Sequence, residues 1–490
     1  MKRLQVSLTT AALVLSAIST VYGQAPRQPM ITAPPGTPPP PSAGLLNDYL
    51  REQSPDMKAW DIGGQVRLRY EDFEGGSPAF PNRDFQSKGV DNNNDFLLLR
   101  EKLHVGYKSD WFGAYVEGVS SVMSWDKTPN NPATDILDLN QGYVVIGNAK
   151  EFPITLKAGR QEMIYGDERL IGNADWNNVI RVFDLVKLRY EDEKRWVDVF
   201  SGRAVLIDNR NFNVPDDYDW FSGIYYSDRS ILEFQETQFY VLSRNSSPGT
   251  AKADTRGTAA GLPQNSSAGT ARDIVTVGTR FKSLPGKLGN WDYAMELAAQ
   301  FGSINVTGAK RVDQEAGAFS LGGGYTFKDT TYKPRLGAEY NFASGDADPN
   351  DNKNGTFDNL FPTNHKHYGY MDFTGWRNIH NPRLSLAVKP SSKLTVSLDG
   401  HAFWLADDRD LFYPQSGAGR STLGYGRNSG YSSFVGTEVD LDATYNWRSW
   451  LAFRAGGGHF FAGDYIDQSK AALGGASDAN WVYIQAVFNF

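Results

Sequence analysis

The segment Trp481 to Phe490, WVYIQAVFNF, alternates apolar and polar side chains up to the last residue of the chain. In an extended strand, one side carries Val482, Ile484, Ala486, Phe488 and Phe490, and the other carries Tyr483, Gln485 and Asn489. A strand of an outer-membrane barrel meets lipid on one side and water on the other, and an aromatic last residue is typical of such barrels. The segment therefore predicts a transmembrane β-barrel.

The amino-terminal end has the features of a secretory signal peptide. Lys2 and Arg3 precede an apolar stretch that is short and rich in Ser and Thr, which disfavours a membrane anchor. The following segment, 24–43, contains eight prolines and favours extended polyproline geometry. We expect a signal peptide over 1–23, a Pro-rich periplasmic tether over 24–58 that ends in a short helix near 45–58, and a barrel over 59–490.

Composition agrees with a barrel rather than with a helical membrane protein. Mean hydropathy is −0.46 and aromatic residues make up 13% of the chain, a combination that suits a polar lumen with aromatic girdles. Cysteine is absent from the sequence, which excludes disulfides and thiolate metal sites. The net charge of −7 gives no general attraction to nucleic acid.

Runs of about ten residues with alternating polarity recur from Ile62 onward and predict an antiparallel barrel of about eighteen strands. The predicted strands lie near 62–73, 96–108, 112–125, 138–146, 154–161, 180–190, 196–204, 221–227, 234–244, 273–281, 291–301, 316–327, 333–343, 382–388, 393–404, 434–446, 449–461 and 480–490.

The gaps between these runs are alternately long and short. Gaps 74–95, 205–220, 245–272, 344–381 and 405–433 follow odd-numbered strands, whereas gaps such as 109–111, 191–195 and 447–448 follow even-numbered ones. Outer-membrane barrels have long extracellular loops and short periplasmic turns, which matches this alternation. A soluble β-sandwich or propeller would show similar strand spacing, but the signal peptide and the aromatic carboxyl terminus favour the membrane barrel.

The same alternation predicts which side chains face the lumen, because a charge on the lipid face costs about 2–4 kcal/mol near the midplane. The predicted lumen residues include Arg67, Arg69, Arg100, Lys102, Arg280, Arg335, Glu339, Arg383, Glu438, Asp440 and Arg454. A barrel of about eighteen strands is wide enough to conduct. Inward arginines suit carboxylates and phosphates, although the charges can also pair across the lumen merely to stabilise it.

Two stretches carry a family resemblance. Gly159 to Leu188, GRQEMIYGDERLIGNADWNNVIRVFDLVKL, and Phe342 to Asp372, FASGDADPNDNKNGTFDNLFPTNHKHYGYMD, resemble the alginate export family of outer-membrane channels. The first is similar to the family's GRQ strand, exposed loop and W-x-N-x-x-R-x-F-D return strand, and the closing hairpin from Phe453 to Asp464 is also similar. The resemblance covers 61–490.

This resemblance implies a monomeric eighteen-stranded barrel that passes an anionic exopolysaccharide through an electropositive constriction. It also implies Arg160, Arg181 and Arg454 as constriction arginines, with Asp184 beside them. Alternation supports Arg181 and Arg454, leaves Arg160 ambiguous, and places Asp184 outward unless the strand bulges. The Pro-rich tether and the segment around 346–361 depart from the alginate-secreting member, so the solute stays open between alginate, another glycan and a small carboxylate.

Two motifs suggest metal chemistry only weakly. Asp346, Asp348, Asn350 and Asn352 resemble an oxygen-rich calcium loop, but the glycine is off register and no Glu follows, so we favour a solvated loop over a weak calcium site. His365 and His367 have no clear further ligands, and an exposed loop is the favoured interpretation.

An enzyme and a surface receptor are the remaining alternatives. His401 with Asp399 nearby is the best candidate base, but no serine can be paired with it from sequence alone. The long loops 344–381 and 405–433 suit a receptor, whereas the wide charged lumen favours transport. We therefore expect a non-enzymatic channel without cofactor, in contact with outer-membrane lipid, an anionic polysaccharide or sugar acid and, by analogy only, a periplasmic scaffold.

Overall fold

A single closed antiparallel sheet forms the wall of the molecule in the computed structural model, which describes residues 44–76, 84–85, 91–127, 133–209, 211–246, 271–306 and 310–490. The predicted signal peptide and most of the predicted tether lie outside these residues. Among the described residues, no helix is long and apolar enough to cross a membrane.

The sheet in the described part of the chain contains eighteen wall strands and one two-residue strand, β14. The strands are β1 (Trp60–Glu74), β2 (Asn94–Lys108), β3 (Phe112–Ser124), β4 (Asp135–Ile146), β5 (Ile154–Gln161), β6 (Phe183–Glu191), β7 (Arg195–Leu206), β8 (Val214–Leu232), β9 (Gln235–Ser246), β10 (Arg272–Ser283), β11 (Trp291–Asn305), β12 (Arg311–Thr326), β13 (Arg335–Ala343), β14 (Lys353–Asn354), β15 (Ile379–Val388), β16 (Leu394–Trp404), β17 (Phe434–Arg448), β18 (Leu451–Ala462) and β19 (Ala479–Asn489).

The last strand closes the barrel on the first. In the β1–β19 ladder Leu68 pairs with Ala486, and β1 also pairs with β2 along its whole length. Closure leaves the wall without an unpaired edge, which is required in lipid because no water there can satisfy backbone N–H and C=O groups.

The predicted strand number is confirmed, and most predicted boundaries lie within a few residues of the observed ones. Several boundaries were wrong, and β12, for example, begins at Arg311 rather than at residue 316. Strand β6 begins at Phe183 rather than at residue 180, and β8 runs over Val214–Leu232, which shortens the preceding loop to 207–213. Polar residues such as Asp216 and Asp217 hid the extended part of β8, because the alternation of polarity fades where a strand passes beyond the apolar band of the membrane.

The predicted short helix is also present. Helix α1 (Leu45–Gln53) is followed by a 3₁₀ turn (Pro55–Ala59), and Ser54 caps that turn by accepting a bond from the Asp56 amide. The Asn47 side chain is buried and accepts a bond of 2.7 Å from the Ile62 amide. This end of the predicted tether is therefore fixed to the first strand.

Alternation in burial along the strands separates an apolar outer surface from a charged interior. In β19, Val482 and Ile484 are 54% and 59% exposed, whereas the intervening Tyr483 is 4% exposed. Arg67 and Arg69 in β1 are buried on the inner side, as predicted, next to the exposed Leu68. The outer surface is the one that meets lipid.

Two segments between strands fold into the barrel, and their side chains form much of its core. We name residues 162–182, between β5 and β6, inner loop 1, and residues 344–378, between β13 and β15, inner loop 2. Met163, Ile171, Phe357 and Trp376 are all almost completely buried. The resemblance implied an exposed loop between the predicted strands 154–161 and 180–190, and this was wrong, because strand alternation gives no information about a loop that returns into the lumen.

The extracellular loops meet above inner loop 2. Helix α2 (Asp464–Lys470), which a 3₁₀ turn (Ala471–Leu473) follows, places the Lys470 ammonium 3.1 Å from the Asp84 carboxylate, and Arg420 forms an ion pair with the same carboxylate. The neighbouring Phe85 ring lies 4.4 Å from the ring of Phe373 in inner loop 2. The loop cap and the lumen segment thus pack as one unit.

Candidate solute pathway

Three wall arginines hold inner loop 1 by its backbone carbonyls. Arg67 donates to the carbonyls of Asp175 and Asn177 at 2.6 and 2.8 Å, and Arg100 donates to the same two carbonyls at 3.1 and 3.2 Å. Arg69 donates to the Trp176 carbonyl at 2.8 Å. These carbonyls have no regular secondary structure to satisfy them, so the guanidinium groups supply their partners.

Acidic side chains keep these three cations together. Glu71 lies 2.7 Å from Arg69, and Asp175 lies 2.7 Å from Arg100. Desolvation inside the barrel opposes ionisation of Asp175, but Arg100, Arg67 and Lys102 outweigh it and hold the pKa of this carboxyl well below its usual value. Asp175 therefore stays ionised and anchors the loop to the arginines.

A column of stacked side chains connects the two inner loops to the wall. The Arg69 guanidinium lies 3.7 Å above the ring of Trp176, and His365 stacks on Trp176 with a centroid distance of 4.0 Å. Tyr370 stacks on His365 in turn at 5.1 Å. Cation–π and stacking contacts of this kind stabilise desolvated arrangements by about 1–2 kcal/mol each, so the column fixes both loops in one position.

The inner loops also bond directly to each other. The Gly172 amide donates to the Phe361 carbonyl at 2.8 Å, and the Phe361 amide donates to the Leu170 carbonyl at 2.9 Å. His367 Nε2 donates to the Asp167 carbonyl at 2.7 Å. Burial, followed by Arg169 and Lys366, lowers the pKa of His367 well below its usual value, so this contact is made by a neutral imidazole.

Inner loop 2 is bonded to two separate parts of the wall, β10 and β11 on one side and β17 on another. Gln300 in β11 donates to the Asp358 carbonyl at 2.6 Å, and Arg272 in β10 forms an ion pair with the Asp358 carboxylate. In β17, Glu438 accepts from the Met371 amide at 2.8 Å and Asp440 accepts from the Tyr370 amide at 3.2 Å. Both predicted acids thus face the lumen and hold a loop backbone.

A polar cavity of about 620 Å³ lies between the inner loops and strands β10 to β15. It is lined by the basic residues Arg169, Lys282, Arg335, Lys366 and Arg383 and by the acids Asp167, Asp292, Glu296 and Glu339. The turns 284–290 and 327–334 contribute to the lining, which places the cavity at the periplasmic end.

Most basic groups of this cavity have an acidic partner, whereas Lys328 donates to the Gly289 carbonyl. Arg280, deeper in the wall, and Lys282 lie 2.8 and 2.7 Å from Asp167, and Arg169 lies 2.9 Å from Glu339. The side chains of Lys282 and Lys366 nevertheless remain 45% and 42% exposed. The cavity therefore presents partly hydrated cations next to acids that compete for them.

Most of the predicted lumen residues lie on the inner side of the wall. Arg335 pairs with Asp292, Arg383 pairs with Asp399 at 2.7 Å, and Lys102 lies 3.4 Å from Glu117. Arg454 pairs with Asp442 at 2.8 Å, and its guanidinium lies within 6 Å of the Trp176 ring. Whether a solute contacts these groups stays a prediction.

Arg160 and Asp184 do not face the lumen. They are register partners at 2.8 Å on the same side of the wall as Val186, which is 51% exposed on the outer surface. Arg160 also donates to the Asn213 carbonyl at 3.1 Å, and this loop covers it at the extracellular edge. Strand parity had placed Asp184 outward, so the constriction role implied by the resemblance was wrong for this pair.

Arg181 lies inside the barrel but on inner loop 1 rather than on a strand. It donates to the carbonyls of Gly172 and Pro362 at 3.0 and 2.8 Å, which ties the two inner loops together. Burial, followed by Arg244, lowers its pKa to about 10, so it remains charged at neutral pH. The alternation of polarity along β6 could not predict the side on which Arg181 lies, because β6 begins only at Phe183.

The metal and histidine predictions have different outcomes. His365 and His367 are buried, so the exposed-loop interpretation was wrong. Asp346 is buried and accepts from the Gly355 amide, whereas Asp348, Asn350 and Asn352 are exposed. Within the described residues, no group of three or more His, Cys, Asp or Glu side chains is placed to hold a metal ion, and calcium binding stays a prediction.

The candidate base His401 is buried beside Asn381, while Asp399 is engaged by Arg383. The functional residues that sequence reasoning missed are those of the inner loops, above all Asp167, Arg169, Asp175 and Trp176. The signals for them were the density of charged and Asn residues between β5 and β6 and, for Trp176, its place in the W-x-N-x-x-R-x-F-D motif that carries the family resemblance.

The closed eighteen-stranded wall, its apolar outer surface and its charged interior define an outer-membrane β-barrel channel. A model of the alginate export family matches residues 59–479. The chain therefore belongs to the alginate export family and resides in the bacterial outer membrane.

Solved structures of outer-membrane porins have the same fold. The outer membrane protein OprD from Pseudomonas aeruginosa is 13% identical, with a TM-score of 0.53 over 88% of this chain and 93% of that one. OpdQ and OccK5 (OpdH) of the same organism are both 12% identical with TM-scores of 0.51, over 88% of this chain and 98% and 99% of theirs. No curated protein matches the chain by sequence.

Proposed function

We propose that this channel passes an anionic carbohydrate, an alginate-like polysaccharide or its uronate oligomers, by diffusion along the cationic side chains of the lumen. The observation that carries the proposal is the periplasmic cavity, in which Lys282, Lys366 and Arg335 each keep a third or more of the side chain exposed despite an ion pair. Family membership supports the same solute class.

The ion pairs of the cavity suit passage rather than tight binding. An incoming carboxylate gains contact with a guanidinium or ammonium group only by displacing part of its contact with Asp292, Asp167 or Glu168. The net gain is then the small difference between two similar interactions, and exposed pairs contribute only about 0–1 kcal/mol. Weak exchange between successive cations allows the solute to enter and to leave.

A diffusion channel for small carboxylates is the second candidate. It is favoured by the two inner loops, which bond to each other and to the wall on several sides and so reduce the space for a polymer. Both functions use the same cations and differ in the largest solute that passes.

Conductance of the purified protein in planar bilayers tests the proposal. We expect anion selectivity and block by uronate oligomers, with uncharged oligomers of the same length as the control. Replacing Arg335 and Lys366 by Gln should weaken the block about tenfold, because two partly exposed charge contacts are removed. Arg311→Gln, which removes an ion pair with Asp273 at the outer rim, is the matched control.

The outcomes separate the candidates. A cation-selective or unselective pore, or equal block by charged and uncharged oligomers, contradicts the proposal. Uptake of uronate monomers into liposomes without uptake of oligomers favours the small-carboxylate channel.

A further inference from the structure

The outer face of the barrel has a depression in its periplasmic half. Neighbouring strands contribute one outward residue each to a row across β11 to β17, and this row is Tyr293, Gly323, Ala338, Leu384, Gly400 and Val439. The three small residues leave an apolar groove of about 940 Å³ on the lipid-facing surface. A Cβ atom added at Gly400 would meet no atom within 4 Å.

The groove lies within reach of the periplasmic boundary of the membrane. Ala338 is the fourth residue of β13, which starts directly after the turn 327–334, so the groove is about 10 Å along the strand from that turn. Trp291, which is 64% exposed, borders the groove where β11 begins. An aromatic residue there matches the girdle that sits at lipid head groups.

The periplasmic turns on the two sides of the barrel differ in charge. The turns 284–290, 327–334, 389–393 and 449–450, on the side of the groove, carry five lysines and one acid. The turns 109–111, 147–153, 192–194 and 233–234, on the other side, carry two lysines and five acids. This difference in charge is an observation separate from the groove. It favours a negatively charged ligand on the side of the barrel that carries the groove.

Two of these lysines are neighbours in the turns at the periplasmic end of the groove. The Lys389 amide donates to the Tyr332 carbonyl at 2.8 Å, which brings Lys389 beside Lys333, and both residues are exposed. Their strands, β13 and β15, are the ones that carry Ala338 and Leu384.

We propose that the groove binds an acyl chain of an anionic phospholipid in the periplasmic leaflet, with the head group held by Lys333 and Lys389. The apolar groove accounts for the chain, and the paired lysines account for the charge of the head group.

Lipid retention on the full-length protein tests the proposal. The barrel is reconstituted with equal amounts of phosphatidylglycerol and phosphatidylethanolamine that have identical acyl chains, and bound lipid is measured by native mass spectrometry. We expect preferential retention of phosphatidylglycerol. Each lysine removed should lower that retention about fivefold, so Lys333→Gln with Lys389→Gln should lower it about 25-fold.

Matched variants separate a site from general lipid contact. Gly400→Leu fills the groove and should abolish the preference, whereas Gly118→Leu, at an outward position of β3 with only the Asp138 carbonyl nearby at 3.8 Å, should leave it unchanged. Lys150→Gln with Lys194→Gln on the acidic side is the charge control. The lysine variants alter exposed turns, so their result stands even if Gly400→Leu does not fold.

Equal retention of the two lipids, or retention that is insensitive to Lys333 and Lys389, overturns the proposal. A dimer that Gly400→Leu dissociates assigns the groove to a second barrel and overturns it as well. Conductance of the variants is expected to equal that of the wild type, so a failure here is independent of the proposed transport function.

Discussion

Removal of the Arg67 guanidinium is expected to loosen inner loop 1. Arg67 is 3% exposed and donates to three loop carbonyls, those of Asp175, Trp176 and Asn177. A hydrogen bond from a charged donor contributes about 1.5–3 kcal/mol. The loss in Arg67→Met is smaller than three such bonds, because Arg100 also reaches the Asp175 and Asn177 carbonyls.

The expected change in the free energy of loop opening depends on the arginines that remain. Arg67→Met also relieves repulsion with Arg69 and Arg100, so we expect local opening of inner loop 1 to become easier by about 2 kcal/mol, or about 30-fold in the opening equilibrium. In the double variant Arg67→Met with Arg100→Met, the Asp175 carbonyl loses both donors. We expect about 4 kcal/mol there, or roughly a thousandfold.

Hydrogen exchange of the Arg181 amide measures this opening, because that amide bonds to the Asn173 carbonyl at 2.8 Å inside the loop. Single-channel recordings should show larger current fluctuations in the double variant. Arg311→Met, which breaks an ion pair at the rim, is the control and should change neither signal. Unchanged exchange in the double variant would refute the assignment of these arginines as anchors.

Three further predictions follow from particular contacts. The pKa of the buried His367 lies below that of a histidine in the unfolded chain. As the pH falls below about 6.5, the unfolded chain takes up a proton that the folded protein does not, so the free energy of unfolding should decrease. His367→Gln should weaken this pH dependence of the thermal unfolding temperature. Gly369→Ala should lower the free energy of unfolding by more than the roughly 1–2 kcal/mol that a left-handed backbone costs a non-glycine residue, because the new Cβ would also meet the Glu438 carboxylate. Gly286 has φ +77° and open space around it, so Gly286→Ala should cost only that backbone strain. Calcium should leave amide exchange over residues 345–352 unchanged, since only Asp346 of the predicted ligands is buried; slower exchange on titration would establish the site.

The wall of the barrel was predictable from sequence because each strand is determined by a local and repeated condition. Val482, Tyr483 and Ile484 alternate since lipid and lumen select opposite polarity at successive positions. The same rule placed Arg67, Arg280 and Arg454 inside and Asp184 outside. At Asp184 the alternation of the strand predicted an outward side chain, whereas the family resemblance implied a lumen role. The structure agrees with the alternation.

The interior of the barrel was not predictable in the same way. Inner loops 1 and 2 are held by contacts between residues far apart in the chain, such as Arg67 with Asp175 and Arg244 with the Leu360 carbonyl. No periodicity marks a loop whose partners lie on other strands. Trp176 is an example, since its position depends on contacts with both Arg69 and His365.

The inward cations therefore belong to two physical groups, and only one of them suits solute selection. Arg67, Arg69 and Arg100 are at most 3% exposed, and loop carbonyls and carboxylates occupy most of their donors. A solute carboxylate would have to displace several bonds to reach them. Lys282 and Lys366, with more than 40% of the side chain exposed, require the displacement of one carboxylate contact each. Anion selectivity should thus depend on how exposed the lumen cations are and not on how many there are. Neutralising Lys282 should reduce the anion preference more than neutralising Arg69. Loss of the Arg69 charge should instead increase the opening of inner loop 1.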